Sequence, residues 1–240
     1  MNVLVINGSP RVEAGNTQAI LTPFLVGVRE SGAKVEIINL ARKKIKSCIG
    51  CFQCYAKSPG VCIHDDDMPA IQDRLSSSDI LVLATPLYID GMTGLCKVFV
   101  DRLVTFLDPH FLVEGSRVYH PLRRKFPGRM FLVSVCGYPG LHNFDPLVEH
   151  FKRVCLNMGS DYCGALLRPA AFSLLLGKKY PELLKNVLDA ARAIGRSLIE
   201  TGSVDQDMAK LVAQDICSTD ELVRMANAFW DRELSTTNDD

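Results

Sequence analysis

The sequence predicts a doubly wound α/β fold, a parallel sheet with helices on both faces. Two observations carry this. The runs Val3–Ile6, Ile80–Ala84 and Phe131–Val135 hold almost no polar residue, as strands buried on both faces do. Between them lie longer stretches with apolar residues at helical spacing: Ile20, Leu21, Phe24, Leu25 and Val28, then Leu95, Val98, Phe99, Leu103 and Phe106.

Taken in chain order, the first strand is followed by a helix that holds Pro23, which should kink it at a cost of about 3 kcal/mol. Val35–Leu40 alternates more and reads as a strand nearer an edge. Residues 108–128 form a long connection with the bearing of a lid or interface segment. Arg123 and Arg124 within it read as surface charge, with contact to a ligand's phosphate as the functional alternative. Cys163–Leu167 reads as a fifth strand. Beyond Pro169 the pattern is helical, with segments near 180–201, 206–216 and 219–233. The last opens with Ser218 and Glu221 at capping-box spacing, and the STTNDD end should fray. The expected organisation is one α/β unit over 1–170, with a C-terminal helical extension over 171–240 packed on it.

Composition narrows the function classes. The 240 residues are 48% apolar, enough for a large core. Lys and Arg number 27 and so do Asp and Glu, so no net field draws nucleic acid or an anionic membrane. The start, MNVLVINGSP, lacks the basic and apolar stretches of a signal peptide. No segment approaches the roughly 20 apolar residues of a membrane span. The expected location is the cytoplasm.

The chemistry concentrates where strands meet helices. After the first strand come Asn7-Gly8-Ser9-Pro10-Arg11 and then Gly15-Asn16-Thr17 opening a helix. Free backbone N–H groups and the helix dipole favour an anion there, with Ser9, Thr17, Asn16 and Arg11 as side-chain donors to a phosphate. The bland alternative is a polar loop with Asn16 as helix cap. Other phosphate loops fit less well: the lysine of G-x-x-x-x-G-K-[ST] and the G-x-G-x-x-G fingerprint are both missing. A cysteine-based phosphatase would need its nucleophile in this loop, and none is there. After Ile80–Ala84 comes Thr85-Pro86-Leu87-Tyr88-Ile89-Asp90-Gly91-Met92. With strand order 2-1-3-4-5, this loop and the first flank the crevice where the winding reverses, a place for a flat heterocycle.

These residues resemble the NAD(P)H-dependent FMN reductase family among the flavodoxin-like flavoproteins. The resemblance rests on Gly8-Ser9-Pro10-Arg11 with Gly15-Asn16-Thr17, on Thr85-Pro86-Leu87-Tyr88, and on Lys97-x-Phe99-x-Asp101-Arg102, across roughly the first 140 residues. It implies a flavodoxin-like five-stranded sheet and bound FMN. Ser9, Arg11, Gly15, Asn16 and Thr17 would hold the phosphate. Pro86, Leu87, Tyr88, Gly91 and Met92 would line the isoalloxazine, and the third loop, Cys136-Gly137-Tyr138-Pro139, would meet its pyrimidine edge, with Gly137 as its contact residue. It also implies a homodimer or homotetramer with FMN at a subunit interface. Pro23 and the C-terminal helices depart from the compact family pattern.

Nine cysteines is a high number. Cys96, Cys136, Cys155, Cys163 and Cys217 mostly lie in apolar patterns and read as small buried hydrophobes. Cys48, Cys51, Cys54 and Cys62 instead crowd behind the second strand as C-x₂-C-x₂-C-x₇-C. The C-x₂-C-x₂-C core is the spacing of [4Fe–4S] ligation, although the last gap departs from the bacterial ferredoxin run. Free thiols and, with His64, a zinc site are the alternatives. Lys43, Lys44 and Lys46 could offset thiolate charge or simply form a solvated face. On a flavodoxin-like core the pattern resembles the iron–sulfur flavoprotein branch, which implies these four as cluster ligands.

The expected function is an FMN-dependent oxidoreductase. Electrons would pass from NAD(P)H to a quinone, a flavin, an iron–sulfur acceptor or a redox protein. The cofactor does the chemistry, so no side chain is assigned a catalytic role. The alternatives are an iron–sulfur flavoprotein carrying electrons without nicotinamide turnover, and a thiol redox sensor.

Overall fold

The computed structural model describes residues 1–236; the last four residues of the STTNDD end lie outside it. The chain begins with β1 (Asn2–Asn7), α1 (Asn16–Glu30) and β2 (Lys34–Asn39), then a short helix α2 (Gln53–Ala56) and α3 (Met68–Ser76). β3 (Ile80–Pro86) and α4 (Gly94–Asp101) follow, then a hairpin of β4 (Leu112–Glu114) and β5 (Arg117–Tyr119). β6 (Arg129–Val135), α5 (Asp145–Asn157) and β7 (Asp161–Arg168) complete the α/β part. The helices α6 (Pro181–Glu200), α7 (Gln206–Ala213) and α8 (Thr219–Thr236) end it.

Five strands form one parallel sheet in the order β2-β1-β3-β6-β7. The hairpin strands, which the hydrophobic pattern does not announce, pair only with each other. Alternate residues of each central strand feed opposite faces. Val3, Val5, Ile80, Val82 and Phe131 pack towards α1 and α6. Leu4, Ile6, Leu81, Leu83 and Leu132 pack on the other face with Met68, Leu75, Phe99 and Phe151. The apolar runs have no polar alternation because both faces are covered. β2 is an edge strand and leaves Glu36 and Ile37 exposed.

One expectation needs correction, and the helix expected to kink at Pro23 runs as one element, α1, past it. The ring removes one hydrogen bond, but Phe24, Leu25 and Val28 beyond it are almost wholly buried. Each such side chain contributes about 2 kcal/mol by leaving water, and together they outweigh the proline. The helix expected through Phe106 ends at Asp101 and tightens into a 3₁₀ turn over Arg102–Phe106.

Glycines set how closely the C-terminal helices dock. A Cβ on Gly195 of α6 would sit 2.0 Å from the Phe24 carbonyl oxygen, and one on Gly27 would sit 1.9 Å from that of Arg192. The two backbones touch, and Glu30 ties the same seam by ion pairs to Arg192 and Arg196. Gly195→Ala gains about 1 kcal/mol of helix propensity but forces apart backbones that have no rotamer to yield. A net loss of about 2 kcal/mol is expected, read as a lower urea midpoint. An unchanged midpoint would refute this packing.

Candidate functional site

The first loop is held by its own side chains before any ligand arrives. Asn7 is buried at the end of β1; its Oδ1 accepts from the Ser9 N–H at 3.0 Å and its Nδ2 donates to Asn39 at 3.0 Å. Thr93 caps α4 and donates from Oγ1 to the Gly8 carbonyl at 2.8 Å, which ties the first loop to the loop after β3. Only glycine fits at position 8, where a Cβ would meet Cys96 Sγ at 2.0 Å.

The cap of α1 is Gly15, with no side-chain cap bond, so Asn16 is the first helical residue rather than the cap. The Asn16 and Thr17 N–H groups are therefore left for a ligand, while the Gln18 N–H bonds back to the Gly15 carbonyl at 3.0 Å. Thr17 Oγ1 is buried without a hydrogen-bond partner. A hydroxyl in that state costs free energy unless something docks on it.

Ser9, Arg11, Gly15, Asn16 and Thr17 converge on one cavity of about 190 Å³ together with Pro86, Leu87, Tyr88 and Gly137. Leu87, Tyr88 and Gly137 also line an adjoining space of about 490 Å³, reached past Ile89, Asp90 and Tyr138. Gly91 and Met92 are set apart from both cavities. Gly91 exchanges backbone hydrogen bonds with Tyr88 at 2.9 and 3.1 Å, and Met92 is buried in the core. Between them Ile89 and Asp90 take positive φ values of 45° and 59°, the pair a type I′ turn requires. Ile89 is 97% exposed at this strained tip. Cys136, of the loop the sequence assigned to the ring's edge, lines the smaller cavity too, and Val135, Ala171 and Phe172, which the sequence reading missed, complete its wall. Nothing local marks Phe172 of a later 3₁₀ turn.

The cysteine cluster forms a second centre. Cys48, Cys51, Cys54 and Cys62 line one small cavity with His64 and Arg102. Cys48 and Cys51 are exposed, Cys62 is half-buried and Cys54 is buried. Burial pushes the Cys54 thiol up, and Cys62, Cys48 and Cys51 push it further. Among the described residues, no three His, Cys, Asp or Glu side chains converge on a single-ion site.

Beneath the thiols, Arg102 and Asp66 form an ion pair at 2.6 Å, both side chains 1% exposed. Burial alone would raise the Asp66 carboxyl. The hydrogen bond from Arg102 and those from the Lys46 and Met68 N–H groups hold it below the usual carboxylate range. Arg102 also donates to the Lys46 carbonyl at 2.7 Å, and its Nε is buried without a partner. Lys44 and Lys46 are engaged through backbone N–H groups with Asp67 and Asp66. His64 Nε2 is 3.1 Å from the Ser47 carbonyl.

Elsewhere Arg123 pairs with Asp108 and donates to the Leu107 carbonyl, and Arg124 stacks on Phe106 at 4.1 Å. Both brace the long connection. Cys96, Cys136, Cys155 and Cys163 are buried, as expected, and Cys217 is half-buried. Burial pushes Cys96 up to about 11 and Cys155 to about 12. In protein carrying no metal, N-ethylmaleimide at neutral pH should label Cys48 and Cys51 and spare Cys96 and Cys155 until unfolding. Peptide mass mapping reads this; early labelling of Cys96 would contradict the burial.

Known proteins place these features. The NADPH-dependent FMN reductase family matches residues 1–142. An iron–sulfur flavoprotein of Archaeoglobus fulgidus is 27% identical over 235 residues, spanning 96% of this chain and 97% of its own length. An iron–sulfur flavoprotein of Methanocaldococcus jannaschii is 37% identical over 118 residues, 49% of this chain and 58% of that protein. Among solved structures, an NAD(P)H:quinone oxidoreductase from Methanothermobacter marburgensis superposes with a TM-score of 0.62 at 17% identity, over 82% of this chain and 96% of that one. An FMN-dependent NADH-azoreductase from Bacillus anthracis, in complex with FMN, gives 0.61 at 16%, over 83% and 99%. At such identities these two speak for the shared fold.

Proposed function

The chain belongs to the NADPH-dependent FMN reductase family, and from that premise we propose that it is an FMN oxidoreductase moving electrons from NAD(P)H to a quinone, a flavin or an iron–sulfur acceptor. The observation that carries the reading is Thr17 Oγ1, buried and unpartnered, in the wall of a cavity that Arg11 and Asn16 also line. The donor set fits a phosphate: a guanidinium, a hydroxyl, an amide and free helix N–H groups. Arg11 and Thr17 grip the anion and Asn16 orients it. The end of β3 with Leu87 and Tyr88 offers an apolar edge to a flat ring, and Gly137 admits close backbone approach. Tyr88 and Tyr138 are exposed at the outer rim, which leaves access for a nicotinamide. Bound FMN supplies the hydride and single-electron chemistry that no side chain here provides.

The four thiols also fit a [4Fe–4S] cluster. They surround a cavity rather than a point, and an unpartnered Arg102 donor lies in its wall. Burial first, and the neighbouring thiols after it, push the Cys54 thiol up, so a cationic iron core would be what holds it as a thiolate ligand. A cluster supplies single-electron storage; Cys48, Cys51, Cys54 and Cys62 would ligate it and Arg102 would offset its negative charge. The likeness to iron–sulfur flavoproteins supports this reading.

Ile49, Phe52 and Val61 of the cysteine segment, and Phe111, Val113 and Val118 in and beside the β4–β5 hairpin, are all exposed. Such apolar surface supports a homodimer or homotetramer, and sedimentation at micromolar concentration tests it. No helix among the described residues is long and apolar enough to cross a membrane, and reduced thiols suit the cytoplasm.

An absorption spectrum of anaerobically purified protein, with iron and sulfide analysis, tests both cofactors together. Stopped-flow mixing with NADH or NADPH should bleach the flavin within seconds. Bleaching by neither would favour the electron-carrier reading, and absence of flavin affinity would end both.

A further inference from the structure

Beside the phosphate seat lies another cavity, of about 430 Å³, which the flavin reading does not use. We propose that it is an adenosine-phosphate subsite continuous with the flavin phosphate site, an inference that rests on the reading above.

The two spaces share Arg11, Asn16 and Phe172. The far wall comes from α8, outside the 142 residues the family matches. Phe229 and Trp230 stand edge to face there, ring centroids 5.1 Å apart, opposite Leu175. Among the described residues no acidic side chain lines the cavity, whereas Arg11 and Arg232 bring two cations to it. Its volume suits a small molecule rather than scattered waters. Aromatic walls take a flat base by stacking, the arginines take a phosphate, and Asn16 can hydrogen-bond either.

Purine nucleotides combine those parts, and the dinucleotides of flavin and nicotinamide both carry an adenosine phosphate. A phosphate on Arg11 and Asn16 at the shared wall points its next substituent towards α8. The helix is held in place for this role. Glu221 accepts from Tyr180 Oη at 2.8 Å and from Lys179 Nζ at 2.6 Å, and the Glu221 N–H bonds Ser218 Oγ at 3.2 Å. Only half of the expected capping box forms, because Glu221 turns its carboxylate to these anchors. The C-terminal half of α8 is left to present Phe229 and Trp230 over the cavity.

Trp230 is the single tryptophan of the chain and so reports directly. The full-length protein, saturated with FMN, is titrated with AMP and with 2′,5′-ADP while tryptophan emission is followed. Saturable quenching is expected, and Arg232→Gln should weaken binding about tenfold with FMN content unchanged; Trp230→Leu, which has no tryptophan left to report, should show the same loss by titration calorimetry. In a parallel arm the protein is offered equal FAD and FMN. Retention of FAD, lost in Trp230→Leu, assigns the subsite to the flavin's own adenosine. Retention of FMN with AMP or 2′,5′-ADP bound beside it assigns the subsite to the nicotinamide donor. If FMN loads but neither nucleotide alters the emission and FAD gains no preference, the subsite is refuted and the flavin reading stands. If FMN itself does not load, both fall.

Discussion

Thr17→Val lowers FMN affinity about thirtyfold and, in flavin-free protein, leaves stability unchanged or slightly raised. The two signs come from one atom. Thr17 Oγ1 is buried without a partner, so valine of nearly the same shape removes a desolvated hydroxyl at no cost to the empty protein. With the phosphate in place, the same change deletes a hydrogen bond to a charged group, worth about 2 kcal/mol and hence about thirtyfold in Kd. Fluorescence titration with FMN and urea unfolding of the flavin-free protein read the two effects. Undiminished affinity would show that the phosphate sits elsewhere. A stability loss well above 1 kcal/mol would show that the hydroxyl is satisfied in a way the structure does not contain.

Asp66→Ala is the second large effect. It removes one partner of an ion pair whose side chains are each 1% exposed, and leaves Arg102 charged in the protein interior. Breaking such a pair costs about 3–5 kcal/mol, well beyond any surface bridge. The damage concentrates on the cysteine segment, because Asp66 also accepts from the Lys46 and Met68 N–H groups at 3.0 Å. Protein that still folds should retain flavin and carry less iron. Replacing both partners by apolar residues should recover part of the loss, because no buried charge then remains.

The pH dependence follows from the direction of the Asp66 shift. Its carboxyl titrates lower in the folded chain than in the unfolded one, where about 3.9 is usual. Its stabilisation is therefore present above about pH 4 and is lost as pH falls through the lower, folded value. Urea midpoints measured between pH 3 and 6 should fall steeply at the acid end in the natural protein and less so in Asp66→Ala. Parallel curves would refute the linkage.

How much of this was legible beforehand depended on the range of the interaction. Val3–Ile6, Ile80–Ala84 and Phe131–Val135 announce buried strands because burial on both faces leaves no alternation, a property of each segment alone. The loop residues Ser9, Arg11, Asn16, Thr17, Pro86, Leu87, Tyr88 and Gly137 come together because a doubly wound sheet delivers its strand ends to one edge. Gly91 and Met92 belong to the same loop, yet the I′ turn at Ile89-Asp90 folds them away from the cavity. That outcome depends on φ angles that an isoleucine rarely adopts. Pro23 shows the converse: a local breaker is overruled by the core beneath it.

The strand–helix alternation, the polar strand ends and the four-cysteine spacing can be read directly from the chain, since each is written within a few adjacent residues. It takes the folded packing to pair Arg102 with Asp66 under the thiols, to let α1 and α6 touch at Gly27 and Gly195, and to bring Trp230 of α8 to the cavity that Arg11 lines. These pairings join residues tens or hundreds of positions apart. Their energies depend on ångström-scale approach of backbone and side chains, which no single segment's pattern encodes.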